Sequence, residues 1–196
     1  MARIATVSRA TKETSIELTI NLDGTGESAI STGLPFYDHM LDQIARHGSF
    51  DLSVKAVGDL QVDGHHTVED VAIVLGEAFR QALGDKRGVR RFASGAYPLD
   101  EALVEVALDL SGRPFAVIDL GIDTALALGD PPFNPEMVEH ALVSFATAAA
   151  ITLHVNRRAG RNTHHIIEAT FKGLARCLRD AVRIESGDLP STKGVL

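Results

Sequence analysis

The sequence predicts an α+β fold in which duplicated strand-helix-strand-helix units form two similar lobes. Strand-type alternation and helix-type periodicity follow one another twice along the 196 residues. A shift of 99 residues carries His65 onto His164 and also superimposes hydrophobic helix positions that follow each histidine. Self-similarity at a fixed shift indicates an internal duplication. The composition, with 45% hydrophobic and 23% charged residues, is that of a globular protein.

The first half begins with a strand, a turn and a helix. Hydrophobic residues alternate with polar ones over residues 16–22, which indicates a strand with one buried face. Residues 23–26, Asp-Gly-Thr-Gly, are typical of a turn, and residues 27–31 are predicted to return as the hairpin partner of that strand. Residues 36–47 are predicted to form a short helix that ends at a glycine, before an alternating strand at residues 51–57.

The next elements begin the second copy of this pattern. Residues 68–83 place their hydrophobic side chains on one face of a predicted helix. A strand pair is predicted for residues 102–110 and 113–120, joined by a Ser-Gly turn. Residues 123–134 contain a glycine and two prolines and are predicted to be a loop, which leads into a helix that ends near Ala150.

The chain closes with a strand, a helix and a tail. Residues 151–155 are predicted to form the strand, and a hydrophobic stripe over residues 167–182 predicts the helix. We therefore divide the chain into a first repeat, residues 1–92, and a second repeat with a C-terminal tail, residues 93–196.

Charge and hydropathy limit the possible partners. The formal net charge of −7 opposes binding to nucleic acid or to an anionic membrane surface. No apolar run reaches the length of a signal peptide core or a membrane span, so a cytoplasmic protein is expected. A small anionic substrate would need a local basic pocket.

Two histidine motifs are the main candidates for a metal-binding site in the sequence. They are His65-His66-x-x-Glu69 and His164-His165-x-x-Glu168. On a helix, His65 and Glu69 are four residues apart, share a face and can chelate one ion. His66 is turned about 100° away and tends to point at a different ion. A lone motif of this kind could be polar residues at a helix start, but its recurrence with a matching upstream histidine favours a metal site.

An exchange between the repeats satisfies both motifs. Each ion takes a histidine and the glutamate of one motif, the turned histidine of the other motif, and one upstream histidine. The two predicted ligand sets are His65, Glu69, His140 and His165, and His164, Glu168, His39 and His66. Three imidazoles and one carboxylate suit Mn, Fe, Co or Zn and are too rich in nitrogen for Ca or Mg. Four protein ligands would leave two positions of an octahedral ion open.

Further segments give the chain a family resemblance. TGLPFYDHMLDQIARHG, HHTVED, LSGRP, HHIIEATFK and PSTKG occur in the order found in the imidazoleglycerol-phosphate dehydratases of histidine biosynthesis, which the chain resembles over nearly its whole length. The resemblance implies two lobes like the second domain of ribosomal protein S5. It also implies two Mn²⁺ ions per active site and a homo-oligomer of 24 subunits whose active sites are shared between neighbours. The ligand sets that it implies agree with the exchange derived above.

The resemblance also assigns substrate contacts. It implies that Glu13 is the catalytic residue at the reacting carbons. The phosphate contacts that it implies are Arg91, Arg113, Lys172, Ser191, Thr192 and Lys193. His39, His65 and His164 would contact the substrate as well as metal. Without the resemblance, each of these basic residues would be read as an ordinary surface charge.

The implied reaction is loss of water from imidazole glycerol phosphate to give imidazole acetol phosphate. An imidazole bound to metal can lose its N–H, and the resulting imidazolate can expel the adjacent hydroxyl. The neighbouring C–H then becomes acidic, and Glu13 can remove that proton. Two alternatives stay open on the sequence: a di-metal hydrolase, although no bridging aspartate is evident, and a non-catalytic metal store or sensor.

Overall fold

The computed structural model describes residues 2–194 and residue 196, and within them it contains eight strands and four helices. The strands are β1 (Ile4–Ala10), β2 (Thr14–Asn21), β3 (Ser28–Ser31), β4 (Asp51–Gly58), β5 (Phe92–Leu99), β6 (Ala102–Asp109), β7 (Phe115–Asp119) and β8 (Thr152–Ala159). The helices are α1 (Pro35–Gly48), α2 (His65–Leu83), α3 (Met137–Ala149) and α4 (Thr163–Ala181). None of the described helices has the length and apolar character needed to cross a membrane.

The two halves repeat one topology. The first sheet has the strand order β1-β2-β4-β3 and the second has β5-β6-β8-β7. In each sheet the third and fourth strands of the repeat are parallel and are joined through a helix, as parallel neighbours require. The predicted α+β fold with two similar lobes is therefore confirmed. The predicted boundary after residue 92 falls at the start of β5.

Two predicted strand pairings are wrong. Residues 27–31 do not return along the first strand, because β3 pairs in parallel with β4 instead. Residues 102–110 and 113–120 are not partners either, because β7 pairs in parallel with β8. In both cases a short turn precedes the strand, which suggested a hairpin, but the helix that follows makes the strand the first arm of a crossover connection.

The four helices lie between the two sheets. α2 packs on the first sheet and α4 on the second, so that each sheet has one covered face. Across the middle, α1 contacts α4 and α2 contacts α3. Each cross-lobe contact therefore joins one helix from each repeat. The buried core is continuous through this helical layer, with Tyr37, Met40, Phe79 and Leu142 among its almost fully buried side chains.

Asp51 organises the turn between β2 and β3. Its Oδ1 accepts backbone N–H groups from Thr25, Gly26 and Glu27 at 2.8, 3.2 and 3.2 Å. Gly24 is required beside it, because a Cβ there would lie 2.5 Å from the same oxygen. The backbone hydrogen bond from Thr25 is the largest of the interactions that lower the pKa of Asp51, and those from its neighbours act in the same direction.

We expect Asp51→Asn to lower stability by about 1 kcal/mol at pH 7, because neutral acceptors make weaker hydrogen bonds than a carboxylate. The folded-state pKa is lowered, so the contribution is complete above the unfolded value of about 3.9 and is lost as the pH falls through the folded value. Urea unfolding at pH 7 and near pH 3 tests this. The exposed Asp119→Asn variant is the control, and an equal loss at both pH values would contradict the prediction.

Candidate metal centre

Both histidine motifs lie at helix N-termini. The backbone N–H of His65 donates to Asp63 Oδ1 at 2.7 Å just before α2 begins. At the start of α4, Asn162 Oδ1 accepts the backbone N–H of His165 at 3.3 Å. Asn162 is thus the N-cap of α4, whereas the N-cap of α2 is Gly64 and Asp63 precedes it. Adjacent histidines on such a turn point in different directions, and the ring planes of His65 and His66 are 84° apart.

The contact between α1 and α4 assembles the first cluster, which consists of His39, His164 and Glu168. Glu168 Oε2 lies 3.0 Å from His164 Nε2 and 3.3 Å from His39 Nε2. The three ligand atoms lie within 4.8 Å of one another. His39 comes from the first repeat and the other two residues from the second, so the fold brings together three of the four predicted ligands of this set.

Lys172 occupies the other oxygen of Glu168. Its Nζ lies 2.6 Å from Glu168 Oε1, one helical turn along α4. Burial alone would raise the pKa of Glu168, but hydrogen bonds from Lys172, His164 and His39 outweigh it and lower that pKa to about 2. Glu168 is therefore an anion at neutral pH, as a metal ligand must be.

The contact between α2 and α3 assembles the second cluster, which consists of His65, Glu69 and His140. His140 Nε2 lies 3.3 Å from Glu69 Oε1, and His65 Nε2 lies 4.0 Å from Glu69 Oε2. The imidazole rings of His65 and His140 are 4.4 Å apart between centroids. Again the ligand atoms lie within 4.8 Å, and again one helix from each repeat contributes.

The donor atoms fit a divalent ion. His140 Nε2 is buried, and among the described residues it has no hydrogen-bond partner, because the approach to Glu69 lacks hydrogen-bond geometry. A buried nitrogen without such a partner is rare in a folded protein. Two imidazoles and a carboxylate at one point form a familiar facial ligand set for Mn, Fe, Co or Zn. These residues would hold the ion, and His140 Nε2 would then have its partner.

His66 and His165 lie outside both clusters. Each is held through Nδ1 by a carboxylate that the sequence did not reveal as part of the site. His66 Nδ1 lies 3.1 Å from Asp59 Oδ2, and His165 Nδ1 lies 2.7 Å from Glu101 Oε2. These hydrogen bonds are the first causes of the raised pKa values of the two histidines. Their roles as fourth ligands stay predictions.

Glu13 lies beside His66 and outside both clusters. Its Oε2 is 3.9 Å from His66 Nδ1, and its side chain is about half exposed (54%). The residue lies in the bend between β1 and β2 rather than within a strand. Thr11 Oγ1 holds that bend by accepting the N–H groups of Glu13 and Thr14 at 3.1 and 2.9 Å. Glu13 is thus close to one predicted ligand although it is distant from the motifs in sequence.

The predicted phosphate contacts are spread over two regions. Lys172 adjoins the first cluster through Glu168. Arg91 forms a two-pronged pair with Asp109 at 2.6 and 3.0 Å and donates to the carbonyl of Pro190 at 2.7 Å. It thereby holds the tail that contains Ser191, Thr192 and Lys193, while Arg113 is exposed in the turn before β7. A role for these residues in phosphate binding stays a prediction.

Fold and clusters together define a class: a duplicated α+β protein whose lobes meet in paired His-His-Glu clusters of metal-binding type. A family model described as imidazoleglycerol-phosphate dehydratase matches residues 32–178. The chain belongs to the imidazoleglycerol-phosphate dehydratase family. The protein is accordingly a hydro-lyase.

Relatives with this name match all or nearly all of the chain. The dehydratase of Streptomyces coelicolor is 53% identical over 199 residues, which cover 100% of both chains. That of Methanothermobacter thermautotrophicus is 54% identical and covers 96% of this chain and 95% of the relative. The crystal structure from Pyrococcus furiosus, in complex with (S)-C348, has a TM-score of 0.82 at 36% identity and covers 97% of this chain and 100% of that one. The structure from Staphylococcus aureus has a TM-score of 0.81 at 32% identity, with 91% and 97% covered.

Proposed function

We propose that the protein dehydrates imidazole glycerol phosphate to imidazole acetol phosphate in histidine biosynthesis, with two Mn²⁺ ions in each active site. The observation that carries the proposal is the pair of His-His-Glu clusters, each built across the two repeats. A di-metal hydrolase would need a carboxylate that bridges the ions, whereas the predicted ligand sets give each ion a glutamate of its own, Glu69 or Glu168. A metal store would not explain why the chain belongs to a family of dehydratases.

The fourth ligand of each ion comes from a neighbouring subunit in this proposal. His165 follows His164 on α4, so it accompanies the first cluster, yet it belongs to the ligand set of the second. His66 follows His65 on α2 and accompanies the second cluster in the same way. Both histidines reach their ions when the first cluster of one chain meets the second cluster of a neighbouring chain. His165 then binds the ion of the neighbour's second cluster, and the neighbour's His66 binds the ion of the first cluster. Each active site then takes His39, His164, His165 and Glu168 from one chain and His65, His66, Glu69 and His140 from its neighbour.

Such sharing makes self-assembly a condition of activity. Each chain carries both clusters, so each has two faces that require neighbours and a closed assembly becomes the natural product. We propose a closed homo-oligomer on this basis, and the family resemblance implies that it has 24 subunits. Two ions that join subunits would also contribute to the stability of the assembly.

The chain's own residues have separate tasks in the proposed reaction. Bound divalent ions would withdraw charge from the substrate imidazole, favour its imidazolate form and so promote loss of the adjacent hydroxyl. Glu13, which comes from the same chain as His66, removes the proton from the neighbouring carbon. The enol that results becomes the ketone. Lys172, Arg91, Arg113 and the tail residues Ser191, Thr192 and Lys193 bind the phosphate and align the reacting carbons.

Metal content tests the ligand sets. We expect His65→Ala and His164→Ala each to lose one of the two ions per chain, because the two residues belong to different sets. Elemental analysis after reconstitution with Mn²⁺ measures this, and His154→Ala is the control because His154 is exposed on β8, away from both clusters.

The same three proteins are then assayed for dehydration of imidazole glycerol phosphate. Both cluster variants should lose activity and His154→Ala should keep it. A wild-type protein that binds fewer than two ions, or a cluster variant that keeps both, would contradict the ligand sets. A fully loaded wild-type protein without dehydratase activity would contradict the proposed reaction.

A further inference from the structure

Glu101 occupies in the second repeat the position that Glu13 occupies in the first. The two sheet orders make β6 the counterpart of β2. Glu13 immediately precedes β2, and Glu101 immediately precedes β6. The neighbouring histidines, His66 and His165, are also equivalent in the duplicated motif. The two repeats therefore place one carboxylate and one histidine together at corresponding points.

The two carboxylates make different contacts. Glu13 Oε2 stays 3.9 Å from His66 Nδ1, beyond hydrogen-bond distance. Asp59 holds His66 Nδ1 instead, at 3.1 and 3.2 Å to its two oxygens. Glu101 holds its own histidine directly, since its Oε2 lies 2.7 Å from His165 Nδ1.

The residue that follows the fourth strand differs between the two repeats. Asp59 immediately follows β4, and Gly160 immediately follows β8 in the second repeat. Glycine has no side chain with which to hold His165. It also cannot be replaced easily, because its φ is +124° and a Cβ there would lie 3.0 Å from Ala102. The carboxylate for His165 therefore has to come from elsewhere, and Glu101 is next to Ala102.

Glu101 is fixed by contacts on both oxygens. Its Oε1 accepts the backbone N–H groups of Arg161 and Asn162 at 3.1 and 2.8 Å, at the start of α4. These bonds and the bond from His165 leave the carboxylate little freedom to accept a substrate proton.

We infer that Glu101 is a positioning residue for His165 and that the asymmetry between Asp59 and Gly160 leaves Glu13 as the free carboxylate of the pair. An ionised carboxylate only accepts hydrogen bonds, so it requires the proton of His165 on Nδ1. The lone pair on Nε2 is then available to an ion. That nitrogen lies 3.9 Å from the exposed Asp100 carboxylate, beyond hydrogen-bond distance. The inference rests on the proposed function, in which His165 is a metal ligand.

The substitution Glu101→Gln tests which nitrogen of His165 carries the proton, and it keeps the shape of the side chain at position 101. The amide oxygen can still accept the N–H groups of Arg161 and Asn162. The amide NH₂ would then face His165 Nδ1, which favours an unprotonated Nδ1 and a proton on Nε2, the nitrogen required for the ion. Loss of such an outer hydrogen bond typically weakens metal binding by about 10–100-fold.

The experiment is a Mn²⁺ titration of the assembled protein, with free Mn²⁺ followed by electron paramagnetic resonance. Glu101→Gln is expected to weaken the binding of one of the two ions by about 10–100-fold and to leave the affinity for the other ion unchanged. In the His165→Ala background, the same substitution should cause no further loss, because both changes act through one imidazole. Glu105→Gln is the matched control, since Glu105 lies on β6, which begins after Glu101, and its carboxylate pairs with the exposed Arg158. Dehydratase activity of Glu101→Gln should recover when Mn²⁺ is raised.

Two results would overturn the inference. One is unchanged affinity for both ions in Glu101→Gln, and the other is an additional loss on top of His165→Ala, which would indicate a merely structural role. Failure of the proposed ligand set has a separate signature. In that case His165→Ala itself would bind both ions normally, whatever Glu101→Gln does.

Discussion

Glu13→Gln should lower kcat by about 10²–10⁴-fold, the range that a general base contributes. Both Mn²⁺ ions should remain bound, because Glu13 lies outside the two clusters and its Oε2 is 3.9 Å from His66 Nδ1. Glutamine keeps the size of the side chain but cannot accept the proton from carbon. Steady-state kinetics together with elemental analysis of the same preparation measure both effects.

Glu17→Gln provides the matched control for this prediction. Glu17 is exposed on β2, four residues further along the chain, and faces away from the core. The same loss of one carboxylate there should leave kcat unchanged. Normal turnover in Glu13→Gln would show that another group removes the proton, even if every metal ligand is correct. A loss that excess Mn²⁺ restores would likewise argue against a base, since that behaviour is expected of a positioning residue such as Glu101.

The sequence predicted the helices better than the sheets. A helix is recorded in local periodicity, and the stripe of hydrophobic residues over 68–83 identified α2 with an end at the correct residue. Strand pairing depends on residues far apart in sequence. Strands β3 and β7 each follow a turn, so the local pattern favoured hairpins, whereas their parallel partners arrive only after a helix. The edge strand β1 (Ile4–Ala10) was not predicted, because its alternation is weak and most of it is exposed.

The members of the two clusters could be predicted because the internal duplication indicated which upstream histidine belongs with each motif. Spacing paired His164 with Glu168, and the internal repeat then supplied His39 as the upstream partner from the other half. The fold brings these three together through the contact of α1 with α4. No such rule could find the carboxylates that hold the remaining histidines. Asp59 and Glu101 approach them from loops, 7 and 64 residues away in sequence, and neither shares a helix or strand with its histidine.

Arg91 illustrates a different limit of the sequence. The family resemblance of the chain predicted that Arg91 contacts the phosphate. The structure adds an ion pair of Arg91 with Asp109 and a hydrogen bond from Arg91 to the Pro190 carbonyl. The positive φ of 77° at Arg91 also fixes its backbone in an uncommon conformation. The hydrogen bond to the Pro190 carbonyl places Arg91 beside the tail segment that contains Ser191 and Lys193. That link between tail and arginine depends on tertiary contacts and has no local signal.

Activity should return when two inactive variants are mixed, provided that their defects lie on opposite sides of the shared site. In the proposed arrangement Glu13 accompanies His66 and the second cluster, whereas His164 belongs to the first cluster of the neighbouring chain. An interface between the Glu13→Gln chain, which keeps His164, and the His164→Ala chain, which keeps Glu13, can therefore be intact. Random co-assembly of equal amounts should restore roughly one quarter of the sites.

Co-expression of the two chains with different affinity tags, followed by tandem purification, isolates the mixed assemblies for assay. The matched control combines Glu13→Gln with His65→Ala, two defects on the same side of the site. Every interface then lacks either Glu13 or His65, and activity should stay near that of the single variants. Equal recovery in both mixtures would contradict the assignment of sides. If neither mixture recovers although mixed assemblies form, Glu13 and His164 must serve the same active site from a single chain, because only then does mixing repair no site.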